Sequence, residues 1–443
     1  MPPGAARAIK PALMWRGGRW ESDRTLVLAG DRIADVVAAS EVASGTPVED
    51  WGDVAVVPGT VNAHGHAFQS LLKGFADDRP FDSWRDDVLY PFSEGLRGDD
   101  LYAGALFAFA EALLAGATTT VDFFYLHDEG NDNAAHVIRA AHDLGIRLVF
   151  ARAFYDLDAP TAAPARYRES VDDAAARCLA LADHYDGDPL VYVQPAPHSL
   201  HAATPETVAA ALEVARRLDC PCHLHLAEAS YEREQVVRRY GLSPVRLLHK
   251  EGLLDERLVT VHTVWVDDEE LDMLAESNTG VVSCPGANAF LGDGIARLPE
   301  MLERGIRIAL GPDGGCANNR QSVFDEMRTA TLMAKARLRD GSALDAPTAL
   351  MLGTQGGADL LGVNAGALEP GRLADFVALD LNDLSLQPRA NLERHVVNSM
   401  QATAVTKVVV GGEVVVEAGE LTRFEGAEIA ALVNDAVTGW SRP

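Results

Sequence analysis

LYAGALFAFAEALLAGATTTVDFF, residues 101–124, runs from a stretch of helix-forming Ala and Leu, through Gly116, into a β-branched stretch. The first part (101–116) suits a helix and the second (118–124) a strand. The same alternation extends in both directions. Upstream lies VAVVPGTVNAH (54–64), and downstream lie RLVFARAF (147–154), LVYVQPAP (190–197) and CHLHLAE (222–228). LVTVHTVW (258–265), GVVSCPGAN (280–288) and RIALGPDGG (307–315) complete the series. Helical stretches separate them, among them TPETVAAALEVARRL (204–218), where Thr204 and Pro205 form an N-cap and first-turn pair. Strand–helix alternation of this length predicts an α/β chain of the (β/α)8 TIM-barrel type. A doubly wound sheet is the rival, but it usually carries a glycine-rich turn after its first strand, and none occurs here.

The chain ends have another texture. Residues 17–57 and 372–418 are short alternating segments with Gly and Asp turns, as antiparallel strands are, and Gly411-Gly412 between two valine runs marks a hairpin. Neither end has enough strands to bury a face alone. We therefore expect one composite β-sandwich domain from residues 1–57 and 365–443, with the barrel, 58–364, inserted between them.

Composition narrows the function. The chain has 443 residues and a formal charge of −27, from 38 Lys and Arg against 65 Asp and Glu. That balance argues against nucleic acid or an anionic membrane as partner and leaves a small molecule. The cysteines (Cys178, Cys220, Cys222, Cys284 and Cys316) form no disulfide framework and no zinc-finger pair, which fits a reducing compartment. No apolar leader or membrane-length stretch is visible, so a cytoplasmic enzyme is expected, with a homodimer or higher homo-oligomer left open.

His64-Gly65-His66 ends the first predicted strand, and residues i and i+2 of a strand point the same way, so both imidazoles can face one ion. His225 and Glu228 close the fifth strand, His262 the sixth and Asp313 the eighth. Chemistry in such a barrel sits at the C-terminal strand ends, where all of these can converge. His223, two residues before His225, points inward but deeper and suits a core histidine; His127, in contrast, is one of several histidines that fall in helices or outer loops.

With these residues in place the chain resembles the amidohydrolase superfamily. The resemblance rests on VPGTVNAHGHAF (57–68), HLHLAE (223–228), VHTVW (261–265), ALGPDGG (309–315) and GALEPGRLADFVALD (366–380). It implies one metal ion, zinc or iron, held by His64, His66, His225 and Asp313, with Glu228 and His262 as the acid–base and water-orienting pair. Two-metal branches usually carry a carboxylated lysine on strand four, and VYVQPAPHS (191–199) has no lysine. Three imidazoles and a carboxylate leave an open position where a divalent ion brings the pKa of bound water toward ~7. The hydroxide so formed would attack a C=N carbon, and Glu228 would protonate the substrate nitrogen. Asp313 would pass a proton to the departing amine, while His262 donates a hydrogen bond to the oxyanion.

Glu228, three residues after His225, is the pattern of the deaminase branch. Loop one, HAFQSLLKGFADDRPFDSWRDDVLYPFSE (66–94), and GPDGGCANNRQSVFDEMRTATLMAK (311–335) resemble S-adenosylhomocysteine, guanine and triazine deaminases. The expected reaction is hydrolytic release of ammonia from an aminated purine, pterin, pyrimidine or triazine. Gln69, Trp84, Arg85, Tyr125 and His198 are the substrate-binding candidates, Arg85 as a bidentate clamp for a carboxylate or carbonyl. Trp84-Arg85, Tyr125 and the segment 196–200 also resemble formimidoylglutamate deiminase. That family has an arginine where this chain has His201, and serine and histidine where it has Gly314 and Gly315. Formimidoyl-glutamate deimination is the alternative, beside amide or halide hydrolysis at the same metal and a binding protein without catalysis.

Overall fold

A computed structural model describes residues 6–128, 130–157 and 163–440. Eight parallel strands form its centre: Thr60–Asn62 (β1), Ala117–Phe124 (β2), Arg147–Phe154 (β3), Val191–Pro197 (β4), Cys222–Leu226 (β5), Leu258–His262 (β6), Gly280–Ser283 (β7) and Ile308–Leu310 (β8). They pair as two four-stranded sheets, β1 to β4 and β5 to β8. Two seams join the sheets. Ala63 N–H donates to Leu310 O at 3.0 Å and Asp313 N–H to His64 O at 3.0 Å, while His225 N–H donates to His198 O at 3.0 Å. Both seams thus run through residues of the metal motif. The helix expected at 204–218 spans Pro205–Leu218, with the Thr204 side chain accepting from Thr207 N–H as its cap.

The first predicted strand, 54–64, is two strands. Val48–Pro58 belongs to the sheet of the chain ends and Thr60–Asn62 to the barrel. Pro58 has no N–H to continue a ladder, and at Gly59 a Cβ would lie 2.1 Å from Thr118 Oγ1, so the chain turns there against β2. The later strands stop short of their expected ends as well. β7 gives way at Pro285 to the helix Pro285–Leu291, and β8 ends before Pro312. His64, His66, Glu228 and Asp313 therefore stand on the turns just past their strands.

Strands from both chain ends interleave in one nine-stranded sheet. In it Val48–Pro58 pairs in parallel with Arg7–Arg16 and antiparallel with Phe376–Asp380. The Gly411-Gly412 hairpin joins Val405–Val410 to Glu413–Glu417 as expected. Side chains alternate strictly. Val56, Phe376 and Ala378 meet Ile9, Leu26, Leu28 and Ile33 in a core of their own, whereas Ala55, Val57, Val377 and Leu379 join the barrel core. The sheet thus bends round its own core, as a sandwich does. Its far edge is tied back where Ala374 N–H donates to Asp31 O at 2.8 Å and Ile33 N–H to Arg372 O at 2.9 Å. Arg147, at the start of β3, grips Asp375 at 2.8 and 3.0 Å with both side chains buried, locking the sheet to the barrel. No helix among the described residues is long and apolar enough to cross a membrane.

Candidate functional site

At the C-terminal mouth of the barrel, Asn62 orients the turn after β1. Its Oδ1 accepts His64 N–H at 3.0 Å and its Nδ2 donates to Thr120 Oγ1 at 3.1 Å. β8 presses against this turn at Gly311, where a Cβ would stand 2.7 Å from His64 N. Ala227, His262, Thr263 and Asp313 all leave their strands with positive φ, at 53°, 70°, 49° and 69°. Each such residue costs roughly 1–2 kcal/mol, and strain of this kind gathers where side chains are aimed at a site.

Four side chains then meet. His225 Nε2 lies 3.2 Å from His64 Nε2 and 3.3 Å from His66 Nε2. Asp313 Oδ1 lies 3.3 Å from His64 Nε2 and 3.5 Å from His66 Nε2. Donors bound at about 2.0–2.1 Å to one zinc ion stand about 3.3 Å apart, so these separations suit neighbouring ligands of one ion, and His64, His66 and His225, like His64, His262 and Asp313, gather closely enough to hold one. The ring tautomers agree. His66 Nδ1 sits 2.6 Å from Phe123 O and His225 Nδ1 2.7 Å from His198 O; a carbonyl only accepts, so each Nδ1 carries the hydrogen and each Nε2 offers its lone pair inward. Burial holds the three imidazoles in their neutral form, pushing His64 down to about 3. Burial alone would raise Asp313, but the opposing contributions, led by the hydrogen bond with His64, hold the carboxyl well below the usual carboxylate range.

Glu228 and His262 flank the cluster. Glu228 is buried, and that burial, reinforced by Asp313 and Glu232, pushes its carboxyl well above the ordinary value. Its Oε1 lies 3.6 Å from His262 Nε2, which stands 3.9 Å from Asp313 Oδ2. Sequence reasoning missed Asn288, whose Oδ1 accepts from His262 Nδ1 at 2.9 Å. With Nδ1 protonated, His262 Nε2 accepts when the ring is neutral and donates only as imidazolium.

The cleft beside these groups is lined by every substrate-binding candidate: Gln69, Trp84, Arg85, Tyr125 and His198. Trp84 and Arg85 lie on a single π-helical stretch, Trp84–Leu89, a form common at functional sites. Gln69 Nε2 donates to Tyr125 Oη at 2.9 Å, and Trp84 Nε1 to Cys316 O at 3.0 Å. Tyr90, Tyr155, Tyr167 and Tyr231 also line the cleft and went unrecognised as site residues, and His201, which stands where formimidoylglutamate deiminases have an arginine, lines it too. Arg85 differs from expectation. Its Nε and Nη2 already hold Asp86 in a fork at 2.7 and 3.0 Å, and Nη1 is buried with no hydrogen-bond partner among the described residues. Outside the cleft, His223 is a core histidine, 2.7 Å from Gln194 Oε1. His127 is buried rather than outer, because its ring bonds Ala153 O at 2.9 Å on the end of β3.

Comparison with known proteins agrees with this geometry. Residues 55–415 match the amidohydrolase family. The chain is 33% identical over 412 residues to 5'-deoxyadenosine deaminase of Methanothermobacter thermautotrophicus, covering 93% of each chain. It is 34% identical over 406 residues to 5-methylthioadenosine/S-adenosylhomocysteine deaminase of Natronomonas pharaonis, covering 91% of each. Among solved structures, an adenosine deaminase from Xanthomonas campestris with bound zinc superposes with a TM-score of 0.90 at 28% identity, covering 98% of both chains. The chain belongs to the amidohydrolase family, as a hydrolase of C–N bonds other than peptide bonds and a hydrolytic deaminase of aminated heterocycles.

Proposed function

We propose that the cleft accepts a neutral aminated purine and that one zinc ion, held by His64, His66, His225 and Asp313, serves its hydrolytic deamination. The state of Arg85 carries this reading. With Asp86 on its fork, the guanidinium is ion-paired and keeps one nitrogen to offer, enough for a ring nitrogen, carbonyl or hydroxyl. A substrate carboxylate would have to compete with Asp86. Burial and the charge of Arg85 push His201 down to about 3, so it adds no second positive charge. Phe81, Trp84, Tyr125 and Tyr231 give the cleft an aromatic lining that suits a flat ring. Relatives named as deaminases of 5'-deoxyadenosine and of 5-methylthioadenosine and S-adenosylhomocysteine support the aminated purine ring.

Bound at the four donors, a divalent ion supplies an acidified water and an electrophilic centre. Glu228, kept protonated by its burial, gives its Oε1 proton to the ring nitrogen beside the amino carbon. Asp313 turns Oδ1 to the ligand histidines, leaving Oδ2, which faces His262, to take the proton of the attacking water and return it to the departing amine. The water's second proton, on the hydroxyl of the adduct, returns to Glu228 as the C=O bond forms and ammonia leaves, and His262, held by Asn288 with Nε2 toward both carboxyls, keeps them in place. Gln69 and Tyr125, bonded to one another, and His198 line the wall next to the ligand cluster and fix the ring's orientation.

The working division is a barrel of residues 58–364 and a composite domain of 1–57 and 365–443, acting in the cytoplasm, where five free thiols stay reduced. A screen for ammonia release across aminated purines, pterins, pyrimidines, triazines and formimino amino acids tests the reading. Turnover of a neutral purine supports it. Turnover confined to formimino amino acids, or hydrolysis without ammonia, overturns it.

A further inference from the structure

Glu228 stands on the turn that leaves β5, and the two sides of that turn are held differently. The carbonyl side is fixed by the exit of β6. Thr263 N–H donates to Leu226 O at 3.0 Å, and the N–H groups of Val264 and Trp265 donate to Ala227 O at 3.0 and 2.9 Å. The amide side rests on the Glu232 carboxyl, which the Ala227 N–H also approaches. Glu228 N–H donates to Glu232 Oε2 at 3.0 Å, from a carboxyl on the first turn of the helix Ser230–Tyr240 that is itself 1% exposed. The intervening Ala227 sits at φ 53°, a conformation a residue with a Cβ leaves unless its neighbours hold it. An acidic side chain reaching back to an N–H at a helix start is an ordinary cap. Here the N–H it reaches is that of the proton-carrying residue, and its other oxygen, Oε1, is buried without a hydrogen-bond partner among the described residues.

We infer that Glu232 is a positioning residue for the reaction, its carboxyl holding the backbone of Glu228 so that the Glu228 carboxyl stays aimed between His262 and the substrate. This rests on the reading of Glu228 as proton carrier. No substrate contact is assigned to Glu232, which is absent from the cleft lining. Its effect is therefore on the proton-transfer step, with little on binding.

The paired variants Glu232→Asn and Glu232→Gln test it, because they differ by one methylene. The Asn amide oxygen falls short of Glu228 N–H, whereas the Gln oxygen reaches it. In the metal-loaded protein, with an aminated purine as substrate, E232N should lose about 10- to 100-fold in kcat, the scale of a small misplacement of a reacting group, with KM and bound metal within about twofold. E232Q should stay within about threefold of the parent. In an E228Q background, E232N should add almost nothing, since the two act through one group. Unchanged kcat in E232N, an E232Q loss as deep as that of E232N, or full additivity with E228Q overturns the inference. Near-normal turnover in E228Q itself instead overturns the reading of Glu228 on which it rests.

Discussion

Replacing Arg85 with Met asks what the cleft recognises. Met keeps much of the length and apolar bulk that packs near the rings of Phe81, Tyr90 and Tyr231, which stand 5.7, 5.8 and 5.2 Å from the guanidinium carbon. It removes the one unpartnered donor, Nη1. Asp86, left without its partner, is 40% exposed, so water replaces the lost ion pair at little cost to folding. A hydrogen bond from a charged donor contributes about 1.5–3 kcal/mol, which is roughly 10- to 150-fold in kcat/KM. We expect a loss of that size for neutral aminated purines, most of it in KM, with bound metal unchanged. Steady-state ammonia release from a neutral purine and from a formimino amino acid, measured side by side, is the assay. An unchanged kcat/KM for the purine would refute the reasoning. So would a loss seen only with the carboxylate-bearing compound, because Arg85 would then exchange Asp86 for the substrate's carboxylate.

Other expectations follow from the same geometry. Glu228→Gln should keep its metal and lose roughly 10²–10⁴-fold in turnover; activity in the parent should fall as pH rises through the elevated Glu228 pKa, and near-normal turnover in the variant would mean the proton travels elsewhere. Asp122 is pushed up to about 7 by burial, so its contribution to stability is full below its unfolded value of 3.8 and fades as pH rises through about 7. Asp122→Asn, which can still accept Ala67 N–H on Oδ1, should therefore raise the thermal midpoint over the parent more at pH 8 than at pH 4, and equal gains at both would contradict this. Asp375→Ala leaves Arg147 buried and unpaired, a change worth about 3–5 kcal/mol, and should lower the urea midpoint clearly; an unchanged midpoint would show that the sheet and barrel do not depend on this pair.

The barrel and the residues that gather at its mouth were legible because both depend on short local signals. A β-branched run has one period wherever it lies, and HxH, the HLHLAE segment and Asp313 each occupy a strand end whatever surrounds them. The join at Pro58-Gly59 was harder to see, since one valine-rich run serves two sheets and the close approach of Gly59 to Thr118 that separates them is a tertiary contact. Glu232 and Asn288 went unseen for another reason. Each acts on a neighbour through one hydrogen bond that depends on how a loop turns, and in sequence a charged residue on a helix or an Asn after a strand looks like any other. Tyr90, Tyr155, Tyr167 and Tyr231 come from separate loops and helices, and their gathering into one wall is a product of the closed barrel. The Asp86 fork on Arg85 shows the same limit, because adjacency in sequence says nothing of where a guanidinium's donors point.

Titrating the metal-free chain with zinc while following ammonia release from an aminated purine tests the central claim most directly. Four donors converging on one point predict that activity rises linearly and saturates at one equivalent of zinc per chain, with one ammonia released for each purine consumed. Saturation at two equivalents, activity without metal, or consumption of the purine without ammonia would contradict it.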